Sequence, residues 1–132
     1  DVHVLKGMNF LCAEDNVLNA EILCELLKIE GATCTICEDG QKVLDAFKQS
    51  KPQEYDVILM DVQMPNMNGY EATKAIRNSN HSCAKTIPII AMTANAFSED
   101  IQKSLAAGMN AHVSKPVEMK VLEKTILNIL VR

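Results

Sequence analysis

Asp61 closes the apolar run Tyr55-Asp56-Val57-Ile58-Leu59-Met60 and precedes Val62-Gln63-Met64-Pro65. A carboxylate that ends a hydrophobic strand and faces a Pro- and Gly-containing loop is badly placed for packing and well placed for chemistry. Three further fragments share this character: Glu14-Asp15 after an earlier apolar run, Thr93 after a later one, and Lys115-Pro116 after a fourth. Four strand ends thus offer a pair of acids, a single acid, a hydroxyl and an amine. Such a set can hold a divalent cation and a phosphoryl group. Each fragment alone has a plainer reading: acids at a helix start, a strand-end hydroxyl, a solvated lysine.

Apolar strand runs alternate with helical patterns along the chain. Strands are expected at Met8–Ala13, Thr33–Cys37, Val57–Met60, Ile87–Met92 and Ala111–Ser114. The third is apolar throughout, as expected of a strand buried on both faces. Pro88 belongs at the start of the fourth, where a ladder donor can be spared. Helices are expected at Val17–Glu30, Gln41–Gln49, Tyr70–Asn78, Ser98–Ala107 and Glu118–Val131. In the first, Leu18, Ile22, Leu23, Leu26 and Leu27 are spaced for a buried face; in the second, Val43, Leu44 and Phe47 point inward. In the last, Val121, Leu122, Thr125, Ile126, Ile129 and Leu130 share one face. Gly31 and Gly108 suit helix exits, and Ser98 suits an N-cap with Glu99 and Asp100 behind it. Asn78–Lys85 reads as an exposed loop. Residues 1–7 read as a tether to a single domain over residues 8–132.

Strict alternation of strand and helix implies an α/β fold, a doubly wound parallel sheet covered on both faces. For five strands the common order is 2-1-3-4-5, the flavodoxin-like arrangement. Ligands then bind beyond the carboxyl ends of the strands, where the order reverses between strands one and three. Those strands end in Glu14-Asp15 and Asp61, so topology and residue chemistry select one place independently. Three carboxylates brought together repel, and a cation relieves that. Hard oxygen ligands with room for water favour Mg2+, with Asp15 and Asp61 as direct ligands, Glu14 acting through water, and a backbone carbonyl near Gln63 completing the shell. Thr93, followed by small Ala94, can donate to a bound anion. Lys115 can pair with the acids and then with phosphate. Pro116 is a candidate for a cis peptide bond.

The 132 residues suit one domain. The net charge of −4 argues against a nucleic-acid surface, which needs a clustered basic excess. No apolar stretch approaches membrane-spanning length and no signal-peptide pattern opens the chain. The first residue is Asp1, as expected of a piece of a longer polypeptide or of a trimmed chain. An odd count of cysteines, Cys12, Cys24, Cys34, Cys37 and Cys83, fits reduced thiols in a cytoplasmic protein. Cys34 and Cys37 form a C-x-x-C, but on a strand residues three apart point to opposite faces, so packing is the expected role.

Glu14-Asp15-Asn16, Met60-Asp61-Val62-Gln63-Met64-Pro65 with Gly69, Ala91-Met92-Thr93-Ala94-Asn95 and Lys115-Pro116 together resemble the receiver domain of two-component response regulators. The likeness runs from about Met8 to the last helix. With Gly108-Met109-Asn110-Ala111, the wording is most similar to receivers fused to hybrid sensor histidine kinases. The resemblance implies that Asp61 accepts a phosphoryl group from phosphohistidine on a histidine kinase or phosphotransfer domain. It implies a Mg2+-dependent reaction in which Lys115 neutralises developing charge, and a switch in which Thr93 moves onto the phosphoryl group. The family's switch aromatic falls at His112, a departure that leaves coupling there weak, absent or pH-dependent. Gln63 and Asn95 would tune dephosphorylation. The first helix would offer the kinase-docking face, and a phosphorylation-dependent dimer is a further expectation. No direct nucleic-acid or membrane contact is expected, and the location expected is cytoplasmic.

Rival readings fit less well. A haloacid-dehalogenase-type enzyme needs a second Asp two residues after its nucleophile, where this chain has Gln63. In a flavodoxin-type redox module, Glu14-Asp15-Asn16 would repel a flavin phosphate. The P-loop pattern G-x-x-x-x-G-K-[ST] is missing. A receiver-like interaction module that is never phosphorylated would have no use for the intact acids, Thr93 and Lys115.

Overall fold

Ten elements alternate along the computed structural model, which describes residues 3–94 and 98–130 and, within the fourth helix, side chains from Asp100 onward. They are β1 (Asn9–Ala13), α1 (Val17–Ile29), β2 (Thr33–Cys37), α2 (Gly40–Gln49), β3 (Val57–Asp61), α3 (Gly69–Arg77), β4 (Ile89–Thr93), α4 (Ser98–Ala107), β5 (Ala111–Ser114) and α5 (Met119–Leu130). The strands form one parallel sheet in the order β2-β1-β3-β4-β5. The fold class and strand order read from the sequence are those observed.

Period-two alternation divides the strand residues between two cores. Leu11, Ala13, Ile58, Met60, Ile89 and Ala91 face α2 and α3, meeting Val43, Phe47, Ala72 and Ile76. Phe10, Cys12, Val57, Leu59, Ile90, Met92 and Val113 face α1 and α5, meeting Leu23, Leu27, Leu122 and Ile126. Every residue of β3 is buried, Asp61 included.

Some expectations needed correction. Of the apolar residues assigned to the buried face of α1, Leu23 and Leu27 are buried, but Leu18 is 64% and Ile22 49% exposed. The pattern is wider than the sheet this helix covers. In α5, likewise, Leu122 and Ile126 are buried while Val121 and Leu130 are exposed. β4 starts at Ile89, two residues later than expected, because Pro88 precedes the ladder; its carbonyl still accepts from Ile58 N at 2.9 Å. Residues 3–7 do not behave as a free tether: Leu5 is 1% exposed in the α1/α5 core, and Gly7 N donates to Gly31 O at 2.9 Å.

The segment expected as an exposed loop before β4 is partly docked. His81 lies against Phe47 with ring centroids 4.3 Å apart, and Ala84 is buried. Cys83 N donates to His81 Nδ1 at 3.0 Å, which makes Nε2 the protonated nitrogen facing Ser50 O at 2.9 Å. α4 is described from Ser98 onward; the N-cap expected at Ser98 rests on a side chain and preceding residues that lie outside the described residues.

Candidate functional site: an acidic cleft at the strand ends

β1 and β3 are neighbours with Ala13 level with Met60, so the residues that follow, Glu14 and Asp61, emerge side by side. β4 brings Thr93 level with Ser114 of β5, and Lys115 N donates to Thr93 O at 2.9 Å. Lys115 is thereby aimed back across the sheet. Its Nζ lies 2.9 Å from Asp61 Oδ2 and 3.1 Å from Glu14 Oε1. Carboxylate oxygens of Glu14, Asp15 and Asp61 all lie within 4.8 Å of one another. Glu14 and Asp61 are each 4% exposed, whereas Asp15 faces solvent.

The loop between β3 and α3 is held tightly against Asp61. Gly69 N donates to Val62 O at 2.9 Å, and a Cβ on Gly69 would stand 2.3 Å from the Asp61 carbonyl oxygen. Only glycine allows that approach. Asn66 takes a left-handed φ of 67° at the tip. Its Nδ2 donates to Asp39 Oδ2 at 3.1 Å, and Gly40 N donates to Met67 O at 3.1 Å. A capping box closes the far side: Asn68 Oδ1 accepts from Glu71 N, and Glu71 Oε1 from Asn68 N. The Lys115–Pro116 bond is cis.

Burial pushes the Asp61 carboxyl up to about 6 and Glu14 adds repulsion, against the lowering pull of Lys115 and of Gln63 N–H. Burial works against the Lys115 ammonium, but its bonds to Asp61 and Glu14 hold its pKa above the ordinary range. One cation is thus shared by two buried acids, with a third acid beside them. The acids keep spare acceptor positions: Asp61 takes Lys115 and a 3.3 Å contact from Gln63 N, while Glu14 takes Lys115 and Asn16 N. A carboxylate offers about four acceptor positions. Clustered hard oxygens with spare capacity and excess negative charge fit a divalent cation such as Mg2+.

The cleft has a volume of about 240 Å³ and is lined by Glu14, Asp15, Asp61, Gln63, Thr93 and Lys115. All the proposed metal and phosphoryl residues therefore meet in one place. His112 does not line it; alternation with Val113 turns His112 toward the other face of β5, and it is half-buried there. Asn95 lies outside the described residues. Tyr70, Asn19 and Asp100 also line the cleft and were not singled out from sequence. Asp100 carries a signal for helix-start electrostatics, which conceals its second position at the rim. Tyr70 had only its place after Gly69.

The same assembly of residues describes a known family. A model of the response regulator receiver domain matches residues 10–127, and the chain belongs to that family. Over 118 residues it is 43% identical to hybrid signal transduction histidine kinase I of Dictyostelium discoideum, covering 88% of this chain and 7% of that protein. Over 127 residues it is 39% identical to probable histidine kinase 2 of Oryza sativa subsp. indica, covering 88% of this chain and 12% of that protein. The chain spans about a tenth of the length of these relatives. Among solved structures, the receiver domain of the Arabidopsis thaliana histidine kinase CKI1, complexed with Mg2+ and BeF3−, superposes with a TM-score of 0.84 at 28% identity, covering 97% of this chain and 93% of that one. A Pseudomonas aeruginosa sensor histidine kinase receiver, with a magnesium ion in its active-site cleft, gives 0.82 at 32% identity, covering 96% and 99%. No helix among the described residues is long and apolar enough to cross a membrane.

Proposed function

We propose that Asp61 is the phosphoryl acceptor of this receiver domain and that its donor is a phosphohistidine on a histidine kinase or phosphotransfer domain. The observation that carries the reading is the placement of a buried carboxylate 2.9 Å from Lys115 and within 4.8 Å of oxygens from Glu14 and Asp15. Asp15 and Asp61 would ligate Mg2+ directly, Glu14 through water, with the Gln63 backbone completing the shell. Bound there, Mg2+ supplies charge neutralisation to the transferring group. Asp61 brings one carboxylate oxygen in line with phosphorus and forms the acyl phosphate as the P–N bond to the donor imidazole breaks. Lys115 faces the equatorial oxygens and offsets their charge. Thr93, at the end of β4 between Asp61 and Lys115, donates its hydroxyl to the acquired phosphoryl group. That contact favours the conformer in which the loop after β4 is drawn inward.

The exposed start of α1, where Val17 is 73% and Leu18 64% exposed, borders the cleft and suits a docking helix of the donor. His112, half-buried on the face of β5 away from Val113 and in place of an aromatic switch residue, is assigned to coupling between cleft and surface. A dimer formed on phosphorylation, and a cytoplasmic location, belong to the same reading.

Intact mass after incubation with Mg2+ and acetyl phosphate tests the acceptor. One phosphoryl group should be gained, only with Mg2+, and none by Asp61→Asn. Retention of the gain in Asp61→Asn would overturn the assignment. Coupling is tested by amide NMR shifts of the α4–β5–α5 surface on phosphorylation. If His112→Ala leaves those shifts at wild-type size, His112 has no part in the switch.

A further inference from the structure

The C-x-x-C pair separates as strand geometry requires: Cys37 belongs to the α2/α3 core and Cys34 to the α1/α5 side. Cys34 instead meets a cysteine distant in sequence. On β1, Phe10 is level with Cys34 of β2, and Cys12 stands two residues further along the same face. The Cys34 and Cys12 sulfurs are 3.3 Å apart. Cys24 of α1 approaches Cys34 from the helix side. Among the described residues, the carboxylates of the cleft are the one group of possible ligands that all lie within 4.8 Å of each other. The three sulfurs are therefore too spread to share a metal ion, and a pairwise reaction remains.

We infer that Cys34 and Cys12 form a reversible disulfide when a peroxide reaches Cys34. The two residues differ in access: Cys34 is half-buried on the edge strand, while Cys12 is 0% exposed beneath α1. Cys34 is the thiol that meets the oxidant, and Cys12 is the one that resolves the product. The hydrogen bond with Cys12 pulls the Cys34 thiol down to about 7, against burial and with help from Cys24, which leaves a substantial thiolate fraction at neutral pH. The Cys34 thiolate attacks one oxygen of hydrogen peroxide, the O–O bond breaks, and the departing hydroxide takes up a proton as water. Cys34 is then a sulfenic acid. The Cys12 sulfur attacks it, the S–O bond breaks, and hydroxide leaves with the Cys12 proton as a second water. Two thiols are oxidised by two electrons and one peroxide is reduced. Cys34 is level with Phe10 and Cys12 with Ile36, so the two cysteines sit on a diagonal with Cα atoms roughly 7–8 Å apart. Closing the sulfurs from 3.3 Å to roughly 2.05 Å therefore also draws the edge strand β2 along β1. The bond would fasten the edge strand β2 to β1 just before the acidic pair that begins the cleft.

The test treats the reduced, folded chain with hydrogen peroxide at low protein concentration, then alkylates with N-ethylmaleimide in denaturant. Intact mass and peptide mapping follow. The expected product carries three alkylated cysteines out of five, a Cys12–Cys34 cross-linked peptide pair, and full recovery of five on reduction. Cys83→Ser should behave as wild type. Cys34→Ser and Cys34→Ala, checked for folding by circular dichroism, should keep all four remaining thiols. Alkylation of all five after peroxide, a cross-link joining any other pair, or Cys34 oxidised only to sulfinic acid would each overturn the inference.

Discussion

Two places in this molecule gather a long cation and several oxygen acceptors where loops converge, and they do so to opposite ends. At the end of α3, Arg77 uses all five of its N–H donors: Nε on Gly108 O at 3.0 Å, Nη1 on Ala84 O and Ile87 O at 3.0 and 2.7 Å, Nη2 on Gly108 O and Asn110 Oδ1 at 2.8 and 2.9 Å. Every acceptor is neutral. Burial pushes the guanidinium pKa down from its usual height, yet its capacity for partners is filled. In the cleft, Lys115 is divided between two buried acids that each keep about half of their acceptor positions. A saturated polar centre fixes structure; an unsaturated one, with like charges in excess, is poised to bind something.

Removing Arg77 should have the largest effect on stability. Arg77→Ala leaves carbonyls of Ala84, Ile87 and Gly108 without their donor and empties the space between α3 and the loops before β4 and β5. Three orphaned carbonyls at about 1–3 kcal/mol each, partly offset by water, give an expected loss of about 3–5 kcal/mol in urea unfolding. A loss below about 1 kcal/mol would mean that water replaces the guanidinium freely, and the contrast between the two centres would collapse.

Gly69→Ala comes next. The new Cβ would stand 2.3 Å from Asp61 O, and backbone has nowhere to retreat in a loop pinned by Gly40 and Asn66. About 2–4 kcal/mol of stability should be lost. The strain falls on the acceptor residue itself, so Mg2+ affinity should fall along with stability; Arg77→Ala, studied below its unfolding transition, should leave Mg2+ affinity nearly unchanged. Titration calorimetry on both variants sharpens the distinction between scaffold and site.

These residues also mark what was legible in the sequence. The strand-end acids, Thr93 and Lys115 could be read because a parallel sheet has one site-bearing edge, and strand ends are visible as the limits of apolar runs. Helices α1 and α5 were legible in extent but not in burial. A hydrophobic stripe records every apolar residue on a face, while burial depends on how much of that face the sheet covers. The Arg77 centre was not legible at all. Its acceptors are mostly backbone carbonyls, which any residue supplies. Leu5 was hidden similarly: one leucine in a polar lead-in carries no periodicity. The docking of His81 on Phe47 depends on a loop path that polar composition leaves open.

The third expected effect is on ion binding. Asp61 must be ionised to ligate a cation, and its pKa is raised to about 6 by burial. Mg2+ affinity should therefore be level above that pH and weaken toward tenfold per unit below it, about 1.4 kcal/mol per unit. Isothermal titration between pH 5 and 8 checks this. A decline that begins only near pH 4 would mean that Lys115 keeps Asp61 an ordinary carboxylate.

The smallest effect is the most diagnostic, because its sign is opposite to that of most buried substitutions. Asp61 has a folded-state pKa of about 6, above the ordinary 3.8. The folded chain holds this proton more tightly than the unfolded chain does. Its contribution to stability is thus fully present below about 3.8 and lost as pH rises through about 6. At pH 7 the ionised carboxylate is a burden on the fold, borne because the cleft needs it. Asp61→Asn keeps the shape and removes the charge and its repulsion from Glu14, at the cost of one partner for Lys115. With the cleft partly open to solvent, a net gain of about 1 kcal/mol is expected at pH 7 without Mg2+. The gain should shrink as pH falls toward 4, where the wild-type carboxyl is itself protonated in the folded state. Saturating Mg2+ should stabilise wild type more than the variant and narrow or reverse the order. Urea midpoints at pH 7 and pH 4, with and without Mg2+, read all of this. A variant less stable than wild type at pH 7 in the absence of Mg2+ would show that the Lys115 pair outweighs the crowding of acids. The cleft would then be as self-satisfied as the Arg77 centre.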